Sequence, residues 1–164
     1  MENNGYVSID ATGFHRKHEI GEIKFDVVEG LSFDKKVVRL GDPFAKTPYL
    51  DGLVLTSNYV APVRGNKFPV LEYDFYSFQT GPVDVYTYMM PIFPLDNEHG
   101  SRYGVMVDNS PVYLPEAGAP YYSTLWIQSV LRNCRINKTT HFIDKPGKHT
   151  VIIYCAHPGM MLLK

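Results

Sequence analysis

An excess of charge of either sign is missing from this sequence: 16 Lys and Arg stand against 17 Asp and Glu, for a formal net charge of -1. Binding to nucleic acid normally needs a basic field to neutralise phosphates, so nucleic acid is not a predicted partner. Long apolar runs are missing as well. The stretch poorest in charge, Gln79 to Leu95, is broken by Asp84 and by Pro82, Pro91 and Pro94, which predicts no membrane span. The start, MENNGYVSID, lacks a basic segment followed by an apolar one, so an exported protein would carry its signal upstream of this chain. Cysteine is scarce: Cys134 and Cys155 sit in apolar, strand-like segments without the CxxC or Cys/His spacing of a zinc site. They read as buried free thiols, with a cross-strand disulfide as the alternative in an oxidising compartment. Glycine-rich phosphate loops and the GxSxG nucleophile elbow are also lacking, which removes the main support for phosphate-handling or serine-hydrolase chemistry.

Aromatic residues are plentiful. Twelve Tyr and nine Phe, with Gly and Pro recurring throughout, favour short strands joined by turns. In Val70 to Phe78, Leu71, Tyr73 and Phe75 alternate with Glu72, Asp74 and Tyr76, the period-2 pattern of a half-buried strand. Thr80, Gly81 and Pro82 then lead into Val83 to Met90, and the two runs read as a hairpin. Further strands are predicted at Tyr6 to Ala11, Glu22 to Val28, Leu53 to Asn58, Arg102 to Asp108 and His149 to Cys155, with GMMLLK as a short apolar finish. The run Tyr121 to Arg135 is read as a strand for its β-branched content, although Trp126, Val130 and Asn133 would also suit a helical face. With 164 residues, 1–164 are expected to form a single domain after a disordered start at 1–4. The predicted fold is an all-β antiparallel sandwich or jelly roll of two packed sheets.

Few residues carry chemistry. His15 and His18, in HRKH, read as a solvated turn in preference to a metal pair. Glu72 and Asp74 share one strand face but are expected to point at water, so no catalytic residue is assigned. Trp126 with Tyr121 and Tyr122, following LPEAGAP, is the candidate sugar platform, since a flat ring can stack on a pyranose; the alternative for the sole Trp is a place in the core or an interface. In PIFPLDNEHGSRYG, the apolar Phe93 and Leu95 beside Asp96, Asn97 and Arg102 are the candidate domain or dimer interface.

The motifs GYVSIDA, LEYDFYSFQTGPVDVYTYMMPIFPLDNEHGSRYGVMVD, the lone Trp126, VLRNCRI and KPGKHTVIIYCAHPGMMLLK occur in that order. In them the chain resembles the C-terminal domain of family 115 glycoside hydrolases, α-glucuronidases acting on xylan. The resemblance runs from Gly5 to Lys164 and is weakest between Phe14 and Pro69. It implies a sandwich akin to galactose-binding and carbohydrate-binding modules, placed after a catalytic barrel that holds the acids attacking the glucuronic acid linkage. This chain would then be no enzyme alone but part of an exported one, packing on that barrel, helping a homodimer form, or binding a polysaccharide. Related sandwiches often hold a structural calcium on a Glu-Ala-Glu strand, where this sequence has Asp10, Ala11 and Thr12. A family-like Asp-Pro-Gly is replaced by His157, Pro158 and Gly159. No metal or other cofactor is therefore predicted, the remaining candidate being calcium held by Asp10 with backbone carbonyls and waters.

Overall fold

Every second residue of Val70–Ser77 (β5 below) is buried, and this alternation recurs along Arg135–Ile143 because each sheet has one face on the core. The computed structural model describes residues 4–32, 35–41, 59–60, 68–93 and 101–164. Among these, eleven strands form two sheets. The first sheet contains β1 (Arg16–His18), β4 (Tyr59–Val60), β5 (Val70–Ser77), β7 (Gly104–Val107), β8 (Val112–Tyr113) and β10 (Gly147–Tyr154), in the order β1-β5-β10-β7-β8-β4. The second contains β2 (Phe25–Ser32), β3 (Lys35–Leu40), β6 (Gly81–Met89), β9 (Arg135–Ile143) and β11 (Met160–Leu162), in the order β2-β3-β11-β6-β9. Every pairing between strands is antiparallel. Leu71, Tyr73, Val105 and Ile153 of the first sheet, with Tyr103 just before β7, meet Phe25, Val38, Leu40, Met89, Met160 and Leu162 of the second. This is the predicted all-β sandwich.

Four local expectations are corrected. β5 and β6 are not a hairpin: β5 is flanked by β1 and β10, while β6 pairs along its length with β9, from Gly81↔Ile143 to Met89↔Arg135. The turn between them carries the chain across to the other sheet, with Gly81 at φ +113. Tyr6 to Ala11 forms no named strand. It leads into a 3-10 turn, Ala11–Gly13, held by Ala11 N–H on the Leu163 carbonyl at 3.1 Å and by the Tyr73 hydroxyl on the Ala11 carbonyl at 2.7 Å. HRKH is the edge strand β1 and its approach, not a turn. Glu72 and Asp74 face outward as expected, but they are not free in water. Arg16 donates to Asp74 at 2.6 and 2.8 Å and to Glu72 at 2.5 Å, and Lys148 reaches Asp74 at 2.8 Å. Arg16, then Lys148, hold the Asp74 carboxyl well below the usual carboxylate range, so it has no proton to give as an acid near neutrality. The strand expected at Leu53 to Asn58 lies outside the described residues.

Both cysteines are free. Cys155 is buried, its thiol pushed up to about 12 by desolvation, so it is inert near neutral pH; Cys134 is half-buried. The turn after β7 is pinned by two buried histidines. His149 Nδ1 lies 2.7 Å from an Asp108 carboxylate oxygen, and His141 Nδ1 lies 2.9 Å from the Ser110 hydroxyl.

Gly41 ends β3 at φ +74, and a Cβ there would stand 2.9 Å from Ile23 Cγ2 and 3.0 Å from Pro158 Cβ. Both the backbone conformation and the space demand glycine. Gly41→Ala is expected to cost about 2 kcal/mol in urea unfolding, with the slope against denaturant unchanged.

Candidate functional site

The segment after β8 departs most from its predicted form. Tyr121 to Arg135 holds an α-helix, α1 (Thr124–Leu131), where a strand is expected. The local chemistry explains it. Ser123 is extended and its hydroxyl accepts from the Trp126 N–H at 3.1 Å, which caps the helix start. At the other end Asn133 takes a left-handed φ of 52. Its N–H reaches the Val130 carbonyl at 3.0 Å, and Cys134 N–H reaches the Ser129 carbonyl at 3.0 Å. That pair of bonds is the Schellman closure, for which asparagine is the usual substitute for glycine. Both signals, a serine before the run and an asparagine after it, stand in the sequence and outweigh the β-branched content.

Ser129 is the buried residue of α1, and Trp126 is half-buried. The rest of the helix turns apolar groups to solvent: Leu125, Ile127 and Val130 are exposed, and Leu131 is 82% exposed. A surface helix normally shows water its polar side. This one shows water its large aliphatic residues, which sequence reasoning in terms of a strand does not find.

Beside the helix start lies an aromatic cluster. Phe93, just beyond β6, stacks on Trp126 with ring centroids 5.8 Å apart and planes at 28°. Tyr121 meets Phe93 at 5.4 Å, Trp126 at 5.3 Å and Tyr122 at 4.0 Å. The outer rings are open to solvent, Phe93 at 54%, Tyr121 at 60% and Tyr122 at 69%. The structure therefore joins two groups that the sequence analysis keeps apart, the Tyr121, Tyr122 and Trp126 platform and the Phe93 loop. Trp126 itself is wrapped by its neighbours, and the rings are mostly tilted against one another, so the cluster is a ridge of edges more than a flat platform. Arg102 is half-buried and bonded to Glu116 at 3.1 and 3.3 Å. Leu95, Asp96 and Asn97 lie outside the described residues.

At this end of the sandwich the core becomes polar. The Tyr103 hydroxyl, fully buried and pushed up to about 12 by desolvation, bonds the Thr87 hydroxyl and accepts from Asn137 Nδ2 at 2.9 Å. Asn137 also donates to the Glu116 carbonyl at 2.8 Å. Two residues earlier on the same face of β9, Arg135 is half-buried, its Nε out of reach of water and without a hydrogen-bond acceptor. Burial pushes its pKa below the ordinary arginine value. No three His, Cys, Asp or Glu side chains among the described residues converge as metal ligands would, and Asp10 stands at the head of the 3-10 turn.

The sequence profile of the Glycosyl hydrolase family 115 C-terminal domain matches residues 1–164. No curated protein matches the chain. Among solved structures, a family 115 4-O-methyl-α-glucuronidase with specificity for decorated arabinogalactans superposes with a TM-score of 0.62 at 18% identity, over 91% of this chain and 17% of that one. The C-terminal family 6 carbohydrate-binding module of a laminarinase from Zobellia galactanivorans gives 0.45 at 12% identity, over 94% and 92% of the two chains. A Podospora anserina β-(1,4)-mannanase with a family 35 module gives 0.42 at 10% identity, over 92% and 26%. The chain thus spans less than a fifth of the glucuronidase it superposes on. With the profile covering all its residues, the chain belongs to the glycosyl hydrolase family 115 C-terminal domain family.

Proposed function

We propose that this domain is a non-catalytic accessory part of an exported α-glucuronidase-like glycoside hydrolase acting on glucuronoxylan, and that it packs on the remainder of that enzyme through α1 and the aromatic ridge. The observation that carries this reading is the helix whose aliphatic residues Leu125, Ile127, Val130 and Leu131 all face solvent. Large aliphatic groups left exposed on a helix, next to three exposed rings, are what a domain shows when its neighbour is taken away. Family membership supplies the neighbour: the domain is a C-terminal one, and the glucuronidase it superposes on has most of its chain elsewhere. In the described part of the chain, the paired outward carboxylates Glu72 and Asp74 are occupied by Arg16 and Lys148, which supports the absence of glycosidase chemistry here.

A second reading, a module gripping xylan or uronic-acid-containing polysaccharide, draws on Tyr121 and Tyr122, whose rings are exposed. One pair of measurements separates the two. The purified 164-residue chain should release no glucuronic acid from decorated xylo-oligosaccharides, and calorimetry against glucuronoxylan at millimolar concentration should show no heat of binding. Release would overturn the accessory role. Binding lost in Tyr122→Ala would favour the module.

A further inference from the structure

We infer that Arg135 is the receptor for a carboxylate on the region of the parent enzyme that covers α1, a buried ion pair whose acidic half lies outside this domain; this rests on the docking reading above. Arg135 opens β9 opposite Met89, which is fully buried, on the face that holds Asn137 and Thr139 inside the sandwich. It follows the Schellman turn of α1 directly, so it stands at the end of the sandwich where the apolar helix is uncovered. A guanidinium carries five donors and no acceptor, and buried charges in folded proteins are paired. Here Nε has lost its water and found no acceptor.

Among the described residues, the groups that act on Arg135 are already committed. Glu116, the acid that acts on Arg135, gives its carboxylate to Arg102 at 3.1 and 3.3 Å and its carbonyl to Asn137. The Tyr103 hydroxyl is engaged by Thr87 and Asn137. Glu116 thus bonds Arg102 and, among the described residues, leaves Arg135 Nε without an acceptor. A domain docking over α1 strips more water from Arg135, which an apolar cover would leave as an unpaired charge. A carboxylate from that cover, accepting two parallel N–H bonds, matches the planar fork. An acidic side chain of the covering region is therefore the occupant.

The test uses Arg135→Met, similar in length and uncharged, in two settings. In the isolated chain the substitution removes a charge without a partner, so the melting temperature should hold or rise. In the full-length enzyme the same substitution should raise amide exchange in α1 by about 30-fold or more, as expected when one half of a buried pair is removed, and Arg135→Lys should fall between. Loss of stability in the isolated chain would overturn the inference, because Arg135 would then have a partner within the domain. Protection of α1 in the full-length enzyme that Arg135→Met leaves unchanged would overturn it too, while leaving the docking reading intact. An α1 that exchanges equally fast in both settings would sink both.

Discussion

Tyr103→Ala is expected to lower the unfolding free energy by about 4 kcal/mol, as large aromatic truncations in cores do. Tyr103 is fully buried between the sheets, so alanine would leave a ring-sized void beside Met89 and Val105 in the same core cluster. The hydroxyl adds a second cost that Tyr103→Phe isolates. Phenylalanine keeps the volume but takes a partner from the Thr87 hydroxyl and from one Asn137 N–H. Asn137 retains the Glu116 carbonyl, so the loss should be smaller, about 1–2 kcal/mol. Against the usual 5–15 kcal/mol of total stability the alanine change is close to unfolding, and urea melts of the two variants would order them. Equal melts for Tyr103→Ala and wild type would remove the ring from the centre of the core.

Stability should also fall by roughly 3 kcal/mol as pH drops from 6.5 to 4, with His141 as the cause. Its ring is buried between the Ser110 and Thr139 hydroxyls, each 2.9 Å away, and against the Tyr113 edge. Desolvation depresses its pKa from 6.5 to about 4. In that window the unfolded chain binds a proton that the folded chain refuses, so stability is complete above pH 6.5, declines as pH falls, and levels off below about 4. Among the depressed carboxylates, Asp74 and Asp84 act around and below their ordinary value of 3.8 and Glu19 and Glu29 around and below 4.5, so they add to the loss only at the acid end of this window. Chemical denaturation in steps between pH 7 and 4.5 would show the slope. His141→Gln, whose amide can still bond both hydroxyls, should flatten it; a slope unaltered by that change would assign the titration elsewhere.

How much of this was open to sequence reading differs by kind of interaction. Burial was legible: the alternation in Val70–Ser77 separates core from surface residues correctly, because side chains change face at every step. Pairing was not. Period-2 patterning says which face a strand buries but is silent on its neighbour, so β6 looks like the hairpin partner of β5 when its partner is β9, some fifty residues further on. The helix was legible in its caps, Ser123 and Asn133, and obscured by Val130, Ile127 and Thr124, whose β preference yields to two well-made ends. The site was half legible. Phe93, Tyr121, Tyr122 and Trp126 stand out as aromatics in turn-rich sequence, but their assembly into one ridge joins segments far apart in the chain, which also meet at the Ile92↔Gly118 bridge. Arg135 carries no sequence signal at all: only its lack of a partner in the folded chain sets it apart.

Amide exchange across α1 (Thr124–Leu131), measured in this chain alone and in a longer chain that carries the preceding enzyme domains, tests the docked accessory role most directly. Uncovered, the helix lies on the sandwich by little more than Ser129 and Trp126, so its amides should exchange early in the isolated domain. In the longer chain the same amides should slow by about tenfold or more, while the strands of the core keep their rates. Identical exchange of α1 in the two chains would contradict the account.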